Sequence, residues 1–519
     1  MNTLRKITLV SLFLSVTGFF MISCVDDGLD GIDGEDGRDG VDGQNATTPP
    51  TIFEDKSATT PLVAMMPQFN FVNAYSLIST PDVITNPETG DTFQLAGSAD
   101  GAGFLRDGDG FMYVVNCEDS YAVARIRLDE NLNPISGDYL LNSGVADFAR
   151  QCSATMWEAE IHGGGSDLFL SASESIANDV KGINPHVITP TPQADFGLDA
   201  LGEFSWENAV PLPQNTYAGE TVIIGGDDDS SGSQGQITLY HSTSGDADFN
   251  NGSIYVLRTK QISGGPDANG DPTIIDAAPN TIYDESNYDF GVEYEVEFVE
   301  IPNGAALTKS EMEDASDAVY ASRFMRVEDV DYQKGSDENA RNIYAAVTGR
   351  GPGRGTYNDW GTIYKVELDA DSPLTGRMTQ IISGNVDTNN ADGNLSILQS
   401  PDNITVTENF VYVQEDPNSF SRGHAAFIYQ SDLNGRNIKP VMELVVRQDL
   451  DPNNSTGFSG EYGSLIDISE KVGIDGTFLL AVQPHYWESP DFMELDGHFN
   501  TTREDDQASQ ILIIQNLPR

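Results

Sequence analysis

Cys152, in the stretch QCSAT, is one of three cysteines in a chain of 519 residues. A thiol that scarce has three readings: a metal ligand, half of a disulfide with Cys117, or a small core residue. Acids recur around it at the ends of strand-like runs. DGDGFMYVVNCEDS ends an aromatic and β-branched run in Asn116, Cys117 and Glu118, and DLFLSASES ends another in Glu174. TVIIGGDDDSSG closes a third with Asp227, Asp228 and Asp229. FMRVEDV spaces Arg326 and Glu328 two apart, and the period of a strand sends both to one face. SPDNITVTENFVYVQED sets Asp402 and Asn403 before a strand and Glu415 and Asp416 after it. GEYGSL carries Glu461, and VQPHYW carries Gln483 and His485. Clustered carboxylates are the normal oxygen ligands of calcium.

Each stretch also has a plain reading. Asp and Asn beside strands form turns, the three aspartates suit a solvated loop, and an Arg–Glu pair on a surface is worth little. Other chemistries find no support. The six histidines form no zinc-binding pair. There is no nucleophile elbow, no Walker loop and no dinucleotide signature. GRGPGRG (349–355) lacks the Lys-Ser/Thr of a phosphate loop; it reads as a loop whose Arg350 and Arg354 could meet an anion.

The elements that must position these residues are strands. Runs such as GFMYVVN (110–116), AVARIRL (122–128), TVIIGG (221–226), SIYVLRT (253–259), TIYKVEL (362–368), TFLLAVQP (477–484) and QILIIQN (510–516) alternate with Gly/Asp/Asn/Pro punctuation. One stretch, TKSEMEDASDAVYASRFM (308–325), fits a helix. The expected class is all-β. A body of residues 60–519 exceeds a usual single core, which favours a β-propeller with long inserted loops over a large sandwich, because a propeller grows by adding blades.

The N-terminus reads as an export signal over residues 1–23, basic at Arg5 and Lys6 and then apolar. Ser23-Cys24 resembles the lipobox of bacterial lipoproteins, although Met21 and Ile22 replace its usual Leu and Ala, and makes Cys24 the lipidated residue. Asp26 and Asp27 follow, similar to the surface-export signal of Bacteroidetes lipoproteins, so an outer-membrane, cell-surface lipoprotein is expected. Glycine then recurs every third residue from Gly28 to Gly43. Without proline this collagen-like tract suits an extended tether across residues 24–59 rather than a triple helix. The formal net charge of −54, from 81 acidic and 27 basic residues, argues against nucleic acid as a partner. It argues equally against anionic lipid, leaving the acyl anchor alone for membrane attachment.

The order of the motifs resembles the PhoX-type alkaline phosphatases, exported calcium- and iron-dependent β-propellers. Their Asn-His-Glu strand end is matched by Asn116-Cys117-Glu118, their cysteine by Cys152 and their strand-end glutamate by Glu174. Gly226-Asp227-Asp228 matches Gly-Asp-Asp, Arg326-Val327-Glu328 matches Arg-Pro-Glu, Ser400-Pro401-Asp402 matches Ser-Pro-Asp, and Glu461 with Gln483-Pro484-His485 matches the last pair. The resemblance covers residues 105–490, and Cys117 and Val327 depart from the pattern. It implies six blades, calcium and iron as cofactors, Glu118, Cys152, Glu174, Glu328 and Asp402 as metal ligands, and Arg326 facing the phosphate of a small phosphoester substrate. A Cys117–Cys152 disulfide would remove the thiolate. The competing expectations are a non-catalytic surface propeller that captures a ligand for an outer-membrane transporter, and a propeller hydrolase using calcium alone.

Overall fold

A computed structural model describes residues 52–519, apart from 145–147, 177–178, 188–196, 233, 246, 355–356, 387–392, 418–419, 452–459 and 499–505. The signal segment, Cys24 and the glycine-rich tract lie outside the described residues. Ile52 is already buried in a core, so residues 52–59, read above as tether, pack onto the body.

The fold is all-β and propeller-like. Antiparallel meanders follow one another along the chain, beginning with Ala99–Asp107, Gly110–Cys117, Ala122–Leu128 and Pro134–Leu141. Ala154–Trp157, Leu168–Ala172 and Val180–Ile183 form the next sheet. A nine-stranded sheet runs from Trp206–Pro211 through Glu293–Glu300 to Val327–Tyr332. Pro401–Val406 opens a further sheet, and Glu461–Asp467 opens the last. Turn chemistry spaces the strands: Asp129 Oδ1 accepts from the backbone amides of Asn131 and Asn133, both at 2.8 Å.

The first strands of these meanders form a closed ring. Ala99–Asp107 packs beside Ala154–Trp157, which packs beside Trp206–Pro211; Val327–Tyr332, Pro401–Val406 and Glu461–Asp467 follow, and the last returns to Ala99–Asp107. A sandwich has no such ring. Chain ends complete it, since Asn73–Ser79 pairs with the C-terminal strand Gln510–Gln515.

The core lies between sheets. Along Gly110–Cys117, Phe111, Tyr113 and Val115 pack with Leu479, Ile511 and Ile513 of the last sheet. Met112 and Val114, pointing the other way, pack with Met156 and Phe169 of the next. A strand buried on both faces reads as a continuous apolar run, which is why these strands stand out in the sequence. The helix is shorter than its signal, Lys309–Ala318, with Thr308 and Glu311 forming a capping box. Among the described residues no helix is long and apolar enough to cross a membrane.

Closure depends on the C-terminal strand. Leu512 is fully buried among Leu480, Phe478 and Tyr462. Leu512→Ala is expected to destabilise the protein by about 2–5 kcal/mol, measured by chemical denaturation. A change under about 1 kcal/mol would show that the ring holds without this contact.

Candidate metal centre

Every inner strand enters the ring at the same end, and the sequence marks that end with an acid in five of them and with a cysteine in the sixth. Asp100, Glu207, Glu328 and Asp402 are each the second residue of their strands, Glu461 is the first of its own, and Cys152 stands two residues before Ala154. The hairpin partner finishes at that end too. Ala99 pairs with Cys117, Trp206 with Asp227 and Pro401 with Glu415, so the residues that follow, Glu118, Asp228 and Asp416, arrive beside them. Glu174 arrives likewise after Leu168–Ala172.

Local backbone devices aim these side chains. The pairing register shifts at Ala99/Ala102, Trp206/Ala209, Val327/Val330, Pro401/Ile404 and Tyr462/Leu465. A bulge re-aims the side chains within it. Ser98, Arg326 and Ser400, each just before an inner strand, have φ of 55°, 67° and 38°. Left-handed non-glycine residues cost about 1–3 kcal/mol each and persist where their surroundings over-determine them. Two glycines allow the close approach of neighbouring strands. A Cβ on Gly101 would sit 2.0 Å from the Ala154 nitrogen, and one on Gly226 would sit 2.1 Å from the Glu328 oxygen.

The result is a cavity of about 490 Å³ lined by Asp100, Glu118, Asp119, Arg150, Cys152, Glu174, Glu207, Arg326, Glu328, Asp402, Asp416, Glu461, His485, Glu488 and Gln507. All six residues singled out as ligands or phosphate-facing, Glu118, Cys152, Glu174, Arg326, Glu328 and Asp402, are among them. Asp100 and Glu207 are absent from the residues the motifs single out, yet both stand in the centre of the cluster. Other expectations change. Asp227 turns away and accepts from the Ser205 amide at 2.9 Å. Asp229 faces Lys309 at 3.8 Å. Glu415 is buried beneath Asp416, holding the amides of Gln399 and Phe427 at 3.0 and 2.9 Å. Arg350 and Arg354 do not line the cavity. Cys117 packs in the core beside Leu479 and Ile513 while Cys152 lines the cavity, and no disulfide joins them, so the disulfide alternative does not describe this fold.

Arg326 does not project openly into the cavity. Its Nε and Nη2 donate to the two oxygens of Asp228 at 2.7 and 2.9 Å, and Nη2 lies 2.7 Å from Glu328 Oε1. Arg326 and Glu328 pair as their closeness in sequence allows, although Arg326 lies just before the strand rather than on it. Arg150, with a side chain 46% exposed, lies 3.3 Å from Glu118 and 3.7 Å from Asp119. His485 Nε2 is 3.0 Å from Glu461 Oε1.

The acids form overlapping triplets, each with ligand atoms within 4.8 Å of one another: Asp100–Glu118–Cys152, Cys152–Glu174–Glu207, Glu174–Asp228–Glu328, Glu207–Glu328–Asp402 and Asp402–Asp416–Glu461. Burial pushes the carboxyls of Asp100, Glu118, Glu207, Glu328, Asp402 and Glu461 well above the usual range, and neighbouring acids add to it. Glu174 rises to about 7 through burial, with Asp228 adding and Arg326 opposing. Burial and the same acids keep the Cys152 thiol well above its ordinary value. Two arginines cannot balance this set. Glu207 Oε2 is buried with no hydrogen-bond partner, an expensive state for a carboxylate oxygen and one that a cation would relieve. The donor set therefore fits metal ions.

No family model matches the chain, and no curated protein matches it in sequence. Among solved structures it is similar to PhoX of Pseudomonas fluorescens in complex with vanadate, a transition-state analogue, with a TM-score of 0.54, 13% identity, and coverage of 88% of this chain and 96% of that one. A GH43 β-1,3-galactosidase matches with a TM-score of 0.32 and 10% identity over 84% of this chain and 94% of that one. The α-L-arabinofuranosidase of Podospora anserina matches with a TM-score of 0.27 and 10% identity over 74% and 97%. What the PhoX likeness establishes is the propeller-like fold.

Proposed function

We propose that this chain is an exported, metal-dependent phosphatase that hydrolyses small organic phosphoesters, with a PhoX-like centre. One observation carries the reading: Glu118, Cys152, Glu174, Arg326, Glu328 and Asp402, widely separated in sequence, line one cavity. In this reading the nine-stranded sheet is two blades joined at their outer edges through Glu293–Glu300, which makes six blades in all. Cys24 carries the acyl anchor, and the body sits at the cell surface on the outer membrane.

Ligand chemistry divides the ring. Iron belongs with the Cys152 thiolate among Asp100, Glu118, Glu174 and Glu207, and calcium with the all-oxygen groups around Glu328, Asp402, Asp416 and Glu461. When bound, these ions supply the positive charge that offsets phosphoryl charge in the transition state and activates the attacking water. The protein's own residues hold that charge in place. Asp228 and Glu328 fix Arg326 at the cavity wall, where its guanidinium limits repulsion between Glu174 and Glu328. Arg150, half-exposed at the mouth, meets the incoming anionic substrate.

The test is elemental analysis of protein purified from an exported preparation without chelator, paired with turnover of an aryl phosphomonoester. Iron and calcium together near stoichiometric amounts, with turnover lost on metal removal and regained on reconstitution, are expected. Tight ligand binding by metal-loaded protein with no turnover of any phosphoester would instead make it a binding propeller. Calcium without iron, with full activity after both Cys117 and Cys152 are changed to serine, would make it a calcium-only hydrolase.

A further inference from the structure

Directly beneath the acidic ring lies a second carboxylate that faces no cavity. Asp329 is buried, 6% exposed, and follows Glu328 inside the Val327/Val330 bulge. Its Oδ1 accepts from Ser153 Oγ at 3.1 Å and from Asn208 Nδ2, and its Oδ2 accepts from the Ile404 amide at 3.0 Å. Asn208 Nδ2 also donates to the Val330 carbonyl at 2.9 Å. Ser153 follows Cys152, Asn208 follows Glu207, and Ile404 lies two residues after Asp402. One carboxylate thus reaches from the strand of Glu328 to the three chain segments that carry Cys152, Glu207 and Asp402.

We propose that Asp329 is a positioning residue that sets the spacing of the metal ligands Cys152, Glu207, Glu328 and Asp402 by tying together the four chain segments that carry them. The inference rests on the metal-binding reading of the ring. Groups that orient ligands without touching the metal hold its affinity, and losing one typically costs 10–100-fold. Asp329 acts on several ligands at once because its partners come from separate strands. Asp331 provides an internal comparison. It accepts from the Val406 amide at 2.8 Å, so it ties the same two neighbouring strands one step farther from the ring, but among the described residues it makes no hydrogen bond to the segments of Cys152 and Glu207.

Asparagine at position 329 keeps an acceptor for Ile404 and presents an amide nitrogen to Asn208 Nδ2, donor against donor. Calcium titration by calorimetry into metal-free whole protein is the experiment, with melting temperatures measured on the same metal-free samples. Asp329→Asn is expected to weaken calcium binding at least about tenfold while its metal-free melting temperature stays within a few degrees of wild type. Asp331→Asn is expected to bind calcium as the wild type does. Should Asp329→Asn not fold, Ser153→Ala and Asn208→Ala each remove one partner and are expected to weaken binding severalfold. Unchanged affinity in the folded position-329 variant, or in both substitutes, overturns the proposal, as does an equal loss in Asp331→Asn. Wild-type protein that binds no calcium overturns the metal reading itself, and this proposal with it.

Discussion

On the proposed phosphatase reading, Glu207→Gln is expected to cut phosphoester hydrolysis at least about a hundredfold while making the metal-free protein more stable. Glu207 belongs to two triplets at once, with Cys152 and Glu174 on one side and with Glu328 and Asp402 on the other. Glutamine keeps the shape, and its oxygen can still accept from the Ser153 amide, now 3.1 Å from Glu207 Oε1. The charge that the two triplets share is lost. A fall in kcat/KM of at least about a hundredfold follows if these cations stabilise the transition state. In the metal-free protein the same change removes a buried, unpartnered carboxylate oxygen, so the melting temperature should rise by an amount equivalent to about 1–3 kcal/mol. Opposite signs in the two measurements separate a ligand from a structural residue. Activity within threefold of wild type would exclude Glu207 from the centre.

That experiment also bears on what the sequence made visible. The runs that read as strands are second and outer strands, such as Gly110–Cys117, Ala122–Leu128 and Thr221–Asp227, whose two faces both pack against neighbouring sheets. Acids placed just after such runs, Glu118, Glu174 and Asp228, stand out because an apolar run points to them. Apart from FMRVEDV, which opens Val327–Tyr332, the inner strands did not read as strands. Ala99–Asp107 contains Gly101 and Gly103, Trp206–Pro211 contains Glu207 and Asn208, and both are interrupted by bulges. One end of each inner strand must be polar and irregular to serve the cavity, so local periodicity fails where the site is built. A weaker repeat was present. Asp100-Gly101-Ala102, Glu207-Asn208-Ala209, Glu328-Asp329-Val330 and Asp402-Asn403-Ile404 each run acid, then small or polar, then aliphatic. Without the ring in hand, four such triplets spread over three hundred residues look like turns. Arg326 and Glu328 do meet, but Arg326 stands just before Val327–Tyr332 in a left-handed conformation, so their closeness in sequence rather than the period of a strand brings them together. The contact of Asp228 with the same guanidinium is not local, since the two residues lie 98 apart in sequence.

Metal-free protein is expected to lose stability as pH rises from about 5 to about 8, and calcium is expected to cancel most of that loss. The sign follows from the raised carboxyls. A carboxyl whose native pKa lies above its unfolded value near 4 keeps its proton in the fold after the unfolded chain has released it. Its contribution is complete below that unfolded value and is lost as pH climbs through the native one. Glu174 sits at about 7 and the other cavity acids are raised in the same direction, so the window reaches at least pH 7; Asp329, at about 8, faces no cavity and contributes to both forms alike. Moving a carboxyl such as Glu174 from 4.5 to about 7 corresponds to about 3 kcal/mol. Ordinary surface carboxylates are ionised by pH 5 and contribute little slope above it. His162 works the other way, since burial holds it neutral with a native pKa of about 3, but its effect ends near pH 6.5 and is common to both forms. The quantity to follow is therefore the difference in melting temperature between calcium-loaded and metal-free protein, measured at constant ionic strength. It should widen steadily from pH 5 to pH 8, because a cation binds the ionised ring and competes with the protons that otherwise relieve it. Parallel curves would mean that the acids of the cavity are not where calcium binds.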